Sequence, residues 1–196
     1  MKRFFDVIVS GIGLILLSPL FVFFAIWIKS DSEGPVFYRQ IRVGQRNKNF
    51  RIFKFRSMRV GADKQGLITV GGHDPRVTRS GYFIRKYKLD EFPQLINVFV
   101  GDMSLVGPRP EVRKYVDLYT PEQLHVLDVR PGITSLASIC YRNENELLEN
   151  VEDPDLYYTD VIMQDKLAID LEYTKHASLG YDIKLIFNTL IEIINK

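Results

Sequence analysis

Twenty-two consecutive uncharged, mostly apolar residues, Val7 to Ile28, lie between Asp6 and Lys29. As a helix the run would span about 33 Å, roughly the thickness of a bilayer's hydrocarbon core. A water-soluble globule rarely carries such a segment, so it limits the chain to folds that meet a membrane. Ser18-Pro19 sits near its middle, where proline deletes a backbone hydrogen bond and crowds the preceding turn, so a bend is expected there. Lys2 and Arg3 precede the run, and Lys29 and an arginine-rich block follow it. The positive-inside rule then favours the cytoplasmic side for both ends. A helix that enters, bends at Ser18-Pro19 and returns satisfies both observations, with the Ser18 hydroxyl available to serve the broken backbone. The alternatives are a kinked single-pass anchor and a cleaved signal peptide. The second is disfavoured because the run ends Ala25-Ile26-Trp27-Ile28-Lys29, without a small-residue cleavage site.

The rest of the 196 residues is the size of one domain, and 46% hydrophobic with 26% charged residues excludes a disordered chain or a multidomain machine. A net charge of +2 conceals two opposed halves. Residues 1–88 carry 17 Lys and Arg against 5 Asp and Glu, whereas residues 89–196 carry 9 against 19. A basic block beside a hydrophobic segment suggests an anionic partner: phosphates, nucleic acid or lipid headgroups. The single cysteine, Cys140, excludes an intrachain disulfide or a multi-cysteine metal site. His73, His125 and His176 are scattered and read as surface or packing residues.

Two strand candidates, Pro35 to Ile41 and Phe50 to Arg56, flank a polar loop and predict a basic hairpin. Gly61 to Ser80 reads as a mobile surface loop. Phe92, Leu95, Ile96 and Phe99 share one helical stripe, and Pro93 belongs in a first turn, so a helix should begin near Asp90 and close at Gly101. Thr120-Pro121-Glu122-Gln123 has capping-box form and should open another helix. Arg130-Pro131-Gly132 matches a type II turn. Asp153-Pro154 opens a further helix, and an amphipathic one closes the chain from about Gly180 to Asn195. The expected fold is α+β and mainly helical. A membrane helix over 1–29 forms one unit with a domain over 30–196, which carries a small hairpin and amphipathic interfacial helices.

Asp90-Glu91 follows the basic stretch Arg85-Lys86-Tyr87-Lys88. An N-cap role explains Asp90 well and Glu91 only weakly. The positive end of a helix dipole would keep both carboxylates ionised, one as a nucleophile and one as a metal ligand. A carboxylate approaches a diphosphate only if cations offset the repulsion; Mg²⁺ is the natural one, and Lys54, Arg56, Arg85, Arg109 and Arg130 are candidates among the side chains. Arg109 is the strongest of these, since Pro108 and Pro110 fix the backbone that presents its guanidinium.

In order, Ser18-Pro19, Lys54-Phe55-Arg56-Ser57-Met58, Arg85, Leu89-Asp90-Glu91, Pro93 to Val98, Gly101 to Pro110 and Val129 to Thr134 run the length of the chain. In these motifs the chain resembles the bacterial sugar transferases of the small monotopic polyprenol-phosphate phosphoglycosyl transferase family. The resemblance implies an enzyme of the bacterial inner membrane, its catalytic domain on the cytoplasmic face. It would transfer a sugar-1-phosphate from a UDP-sugar to a polyprenol phosphate such as undecaprenyl phosphate, releasing UMP and starting the assembly of a surface polysaccharide or other glycoconjugate. By the same resemblance Asp90 attacks to form a phosphosugar-aspartate, Glu91 holds Mg²⁺ with Asp90 beside it, Arg85 and Arg109 contact phosphate or nucleotide, and the Ser-Pro helix is re-entrant.

After Thr134 the sequence departs from many relatives, which continue with Gly-Trp. This stretch, Ser135 to Glu146, is expected near the sugar, with Tyr141, Arg142 and Asn143 as candidate contacts. Two other readings stand beside the transferase: a membrane-anchored binder of nucleic acid or anionic lipid, and an enzyme acting on a lipid diphosphate in the reverse or hydrolytic direction. A negative pair directly after the basic stretch would weaken polyanion binding, so nucleic acid is not the expected partner.

Overall fold

The computed structural model describes residues 1–66 and 74–194. The chain opens with a 30-residue helix, α1 (Lys2–Asp31), whose most apolar 18-residue window has a mean hydropathy of 2.5 and is 11% buried. The helix runs unbroken through Pro19. Proline there leaves the Ile15 carbonyl without its usual donor, and the Ser18 hydroxyl supplies one at 2.8 Å.

The mid-helix side chains Ile15 (74% exposed) and Leu16 (71%) project free, yet both ends are gripped by the same body of protein. At the start, Lys2 pairs with the buried Asp182, and Asp6 accepts hydrogen bonds from the Ser104 hydroxyl (2.9 Å) and the Leu105 N–H (3.2 Å). At the end, Asp31 accepts from the Ser80 N–H (2.8 Å) and hydroxyl (2.7 Å), and Phe24 and Ile28 are buried against Phe55 and Ile84. Burying two such side chains contributes about 1.5–3 kcal/mol each.

Next come β1 (Phe37–Val43) and β2 (Asn49–Phe55), the expected antiparallel hairpin, with Tyr38 opposite Lys54 and Ile41 opposite Arg51. The reading of Gly61 to Ser80 as a loop holds only in part. Residues 67–73, His73 among them, lie outside the described residues, but Asp74, Val77, Thr78 and Ser80 are buried and Val77 bridges to Met58. Thr78 caps α2 (Arg79–Lys86), accepting from the Gly81 N–H at 3.0 Å.

Asp90 does not cap an α-helix. It lies in a 3₁₀ turn, Leu89–Glu91, entered through Lys88 at φ 56°, and α3 (Gln94–Val100) starts only after Pro93. Gly101, at φ 104°, ends that helix. Asn97 straps α3 to the hairpin: its side-chain carbonyl accepts from the Phe53 N–H (2.8 Å), and its amide donates to the Arg51 carbonyl (2.9 Å).

Strands β3 (Ser104–Val106) and β4 (Gly132–Thr134) pair in parallel. Gly132 does not have the positive φ that a type II turn requires at that position. Its glycine serves close approach: a Cβ on Gly132 would lie 2.1 Å from the Gly107 nitrogen, and one on Gly107 would lie 2.3 Å from the Arg130 carbonyl oxygen. The contact is long-range, so only the fold reveals it.

The remainder is helical: α4 (Arg113–Val116), α5 (Leu136–Cys140), α6 (Glu144–Glu149), α7 (Pro154–Tyr157), α8 (Met163–His176) and α9 (Leu179–Ile194). Asp153 caps α7 through the Asp155 and Leu156 N–H groups, both at 3.1 Å, as its sequence predicts. The Thr120 capping box also forms, with reciprocal bonds to Gln123 of 2.9 and 3.2 Å, but it opens a 3₁₀ helix, Gln123–Asp128, and not an α-helix. A π-helical turn, Tyr158–Ile162, joins α7 to α8.

Candidate active site

Four pieces of chain converge on Asp90 and Glu91. Strand β2 delivers Lys54, α2 delivers Arg85, the 3₁₀ turn carries the carboxylates, and the loop after β3 delivers Arg109. That loop is pinned by its backbone: the Gly132 N–H donates to the Pro108 carbonyl (2.9 Å), the Gly107 N–H to the Thr134 carbonyl (3.0 Å), and the Arg42 guanidinium to the Pro110 carbonyl (3.0 Å). The two proline-rich motifs are therefore one structural unit that presents Arg109.

Glu91 is clamped from both sides. Its Oε1 accepts from Arg109 Nη2 at 2.6 Å and Lys54 Nζ at 2.9 Å, and Oε2 accepts from Arg109 Nη1 at 3.4 Å. Burial pushes the Glu91 carboxyl up, but Arg109 and then Lys54 outweigh it and hold the group well below the usual carboxylate range. Glu91 in turn raises Arg109 above the ordinary guanidinium value. Asp90 is buried, 4.0 Å from Lys54 Nζ. The surroundings act on this carboxyl in opposite directions. Burial pushes this carboxyl up and the neighbouring Glu91 charge adds to the shift, while Lys54, Arg85 and Lys88 pull it back.

These residues form one end of a cavity of about 340 Å³. The rest of its wall, the far wall, mixes polar side chains (Thr134, Ser138, Tyr141, Arg142, Glu144, Asn145, Lys166, Thr189 and Glu192) with the apolar Phe92, Ile133 and Ile139. Around the whole cavity six cationic side chains face four carboxylates. The excess suits a pyrophosphate diester, which would bring the missing negative charge.

Of the other expected site residues, Tyr141 and Arg142 line the cavity, whereas Asn143 stands just outside it at the start of α6. Arg56 is elsewhere. It is buried at the end of α1, where it donates to the carbonyls of Glu33, Ser32 (2.6 Å) and Ile28 (3.3 Å). Its charge therefore serves the helix C-terminus. Arg130 also points away, its Nε donating to the Gly101 carbonyl at 3.0 Å, beside the Arg3 contacts on the same end of α3. Glu144 lies within the Ser135 to Glu146 stretch expected near the sugar, and it lines the cavity. Sequence reasoning missed Lys88, Lys166, Thr189 and Glu192. Lys88 adjoins the carboxylate pair and could have been taken with it; the other three come from distant helices and carry no local signal.

Among the described residues no group of three His, Cys, Asp or Glu side chains is placed to hold a metal by itself. The two adjacent carboxylates are hard oxygen donors of the kind Mg²⁺ takes together with substrate phosphates, so the donor set fits that ion.

One buried carboxyl lies behind the site. Asp170 on α8 is 5% exposed and faces Lys166, the Ser135 hydroxyl and the Arg109 backbone N–H. Burial pushes it up to about 7. A raised carboxyl costs no stability below its unfolded pKa, near 3.8, and costs progressively more as the pH climbs towards 7. We therefore expect the melting temperature of Asp170→Asn, relative to the unsubstituted protein, to rise between pH 5 and pH 8. Thermal denaturation in detergent checks this, and a difference that is flat across that range would contradict it.

The family model for bacterial sugar transferases matches residues 1–196. The chain belongs to this family. Among its relatives are an undecaprenyl-phosphate N-acetylgalactosaminephosphotransferase of Aeromonas hydrophila, 38% identical over 98% of this chain and 43% of the relative, and a UDP-glucose:undecaprenyl-phosphate glucose-1-phosphate transferase of Klebsiella pneumoniae, 40% identical over 100% and 40%. An exopolysaccharide production protein, PSS, of Rhizobium leguminosarum bv. phaseoli is 36% identical over 100% of this chain and 96% of its own length. The chain thus spans less than half of the first two relatives and almost all of the third. In this family member the carboxylate pair, the Arg109 loop and the apolar helix are parts of one folded unit, joined by the contacts described above.

Proposed function

We propose that this family member transfers a sugar-1-phosphate from a UDP-sugar to undecaprenyl phosphate, releasing UMP and opening the assembly of a surface polysaccharide. The observation that carries the reading is the buried Asp90 beside a carboxylate clamped by Lys54 and Arg109, at the cationic end of a cavity. That arrangement suits a covalent route. An Asp90 carboxylate oxygen bonds to the phosphorus bearing the sugar, and the bridging P–O bond breaks with its electron pair leaving on UMP. An oxygen of the lipid phosphate then bonds to the same phosphorus and expels the Asp90 carboxylate. Splitting the transfer lets two bulky anions visit the site in turn.

Arg109, Lys54 and Arg85 hold the diphosphate and neutralise charge as it builds on the equatorial oxygens. Phosphate oxygens take over Arg109 and Lys54, and Glu91, with Asp90 beside it, would be the residue to hold Mg²⁺. When bound, the ion polarises the phosphates and assists departure of UMP. Arg56 and Arg130 act through the scaffold: Arg56 closes α1, and Arg130 secures the end of α3 next to it.

We read α1 as re-entrant, with the domain on the cytoplasmic face of the inner membrane and forming one unit with the helix. In support, the Ser104–Leu105 strand and Asp182 grip its first turns while Ser80 and Arg56 grip its last. A straight span would separate these ends by the thickness of the bilayer. Cysteines placed at Lys2 and Glu33 should both be labelled from the cytoplasmic side and shielded from an impermeant reagent outside intact cells. Labelling of one from each side would establish a spanning helix.

The reading is tested by UMP release from a panel of UDP-sugars with detergent-solubilised protein and Mg²⁺, with and without undecaprenyl phosphate. Sustained, lipid-dependent release from one donor is expected; silence with every donor in a folded sample would overturn it.

A further inference from the structure

The far wall of the cavity carries two ion pairs that phosphate chemistry does not need. Lys166, on α8, is only 8% exposed, sits 5.5 Å from the centre of the Tyr158 ring and pairs with Glu144 at 2.7 Å. Arg142 pairs with Glu192 of α9 at 2.9 Å. Both pairs open onto the cavity. An almost buried ammonium–carboxylate pair is a poor source of stability, because desolvation offsets most of the attraction and an apolar pair of similar size would serve as well. Its charges are of use to something that enters the cavity.

The chemistry of the wall narrows what that is. Each carboxylate accepts from two hydroxyls, and the ammonium and guanidinium donate to ring and hydroxyl oxygens. A hexose offers both partners around its whole rim. A pyrimidine base would look for an aromatic face, which in this cavity Phe92 and Tyr141 supply and neither ion pair does. Glu144, Lys166 and Arg109 line the same cavity, so the pair and the guanidinium assigned to phosphate meet the same ligand.

We propose that Lys166 and Glu144, flanked by Arg142 and Glu192, bind the hydroxyls of the transferred hexose and select which epimer is accepted. The proposal rests on the transferase reading and adds to it the face that reads the sugar. A wall that hydrogen-bonds particular hydroxyls discriminates far more sharply than an apolar pocket, because a missing or inverted hydroxyl leaves a buried charge unpaired.

Calorimetry on the full chain in detergent tests it, in the Asp90→Asn background so that the donor stays intact. UDP, UDP-glucose, UDP-galactose and their N-acetylated counterparts are titrated into that protein and into versions that also carry Glu144→Gln or the double change Glu144→Gln/Lys166→Met. The double change removes both charges and leaves no buried ion unpaired. The expected result is UDP binding within about twofold throughout, with affinity for the preferred UDP-hexose relative to UDP falling about tenfold and the spread among hexoses narrowing. Equal losses for UDP and UDP-hexose would move the pair to the nucleotide subsite and overturn the proposal, as would no loss at all. Failure of the background protein to bind UDP or any UDP-hexose would overturn the transferase reading along with it.

Discussion

Asp90→Asn should leave the protein folded and reduce turnover by a factor on the order of 10⁴ or more, the scale seen when a covalent nucleophile is removed. The amide matches the carboxyl in shape, and the burial that pushes the Asp90 carboxyl up makes a neutral side chain easy to accommodate at that position. Near-unchanged melting with turnover lost separates a chemical role from a structural one. Asp90→Glu carries the charge one methylene too far, and a displacement on that scale costs about 10²-fold. UMP release per minute, read beside a melting curve, checks both. Turnover in Asp90→Asn within tenfold of the unsubstituted protein would eliminate the covalent route.

Arg109→Ala should raise the donor KM roughly 10–100-fold, the equivalent of one or two charge-assisted hydrogen bonds. The guanidinium makes two bonds to Glu91, at 2.6 and 3.4 Å, and in the proposed cycle exchanges them for phosphate oxygens. Arg109→Lys should recover only part of the loss, since an ammonium cannot reproduce the planar fork. Steady-state kinetics against donor concentration, at saturating lipid, makes the measurement. A donor KM unchanged in Arg109→Ala would remove Arg109 from phosphate binding and leave it as a partner of Glu91 alone.

Local chemistry in the sequence was a sound guide to local structure. The hairpin, the Asp153 cap, the stop at Gly101 and the Ser18 rescue of Pro19 each depend on a few neighbouring residues, and all four are present. The carboxylate pair and the proline-framed Arg109 were legible for the same reason. What the sequence could not separate was one arginine from another. Arg56 and Arg109 are the same residue type in equally conspicuous motifs, yet one closes a helix and the other faces the cavity, and only the path of the chain decides between them. Gly132 was misread because its reason is Gly107, 25 positions away. Lys166 and Glu192 were invisible because helices α8 and α9 bring them to the cavity from the end of the chain.

The most direct measurement is intact-protein mass spectrometry after mixing the protein with its donor and Mg²⁺ in the absence of lipid phosphate. The account predicts one equivalent of UMP per protein and a mass gain of one hexose phosphate on the peptide containing Asp90, cleared when undecaprenyl phosphate is added. UMP formed only when lipid is present, with no adduct at any time, would contradict it and point to direct transfer between the two substrates.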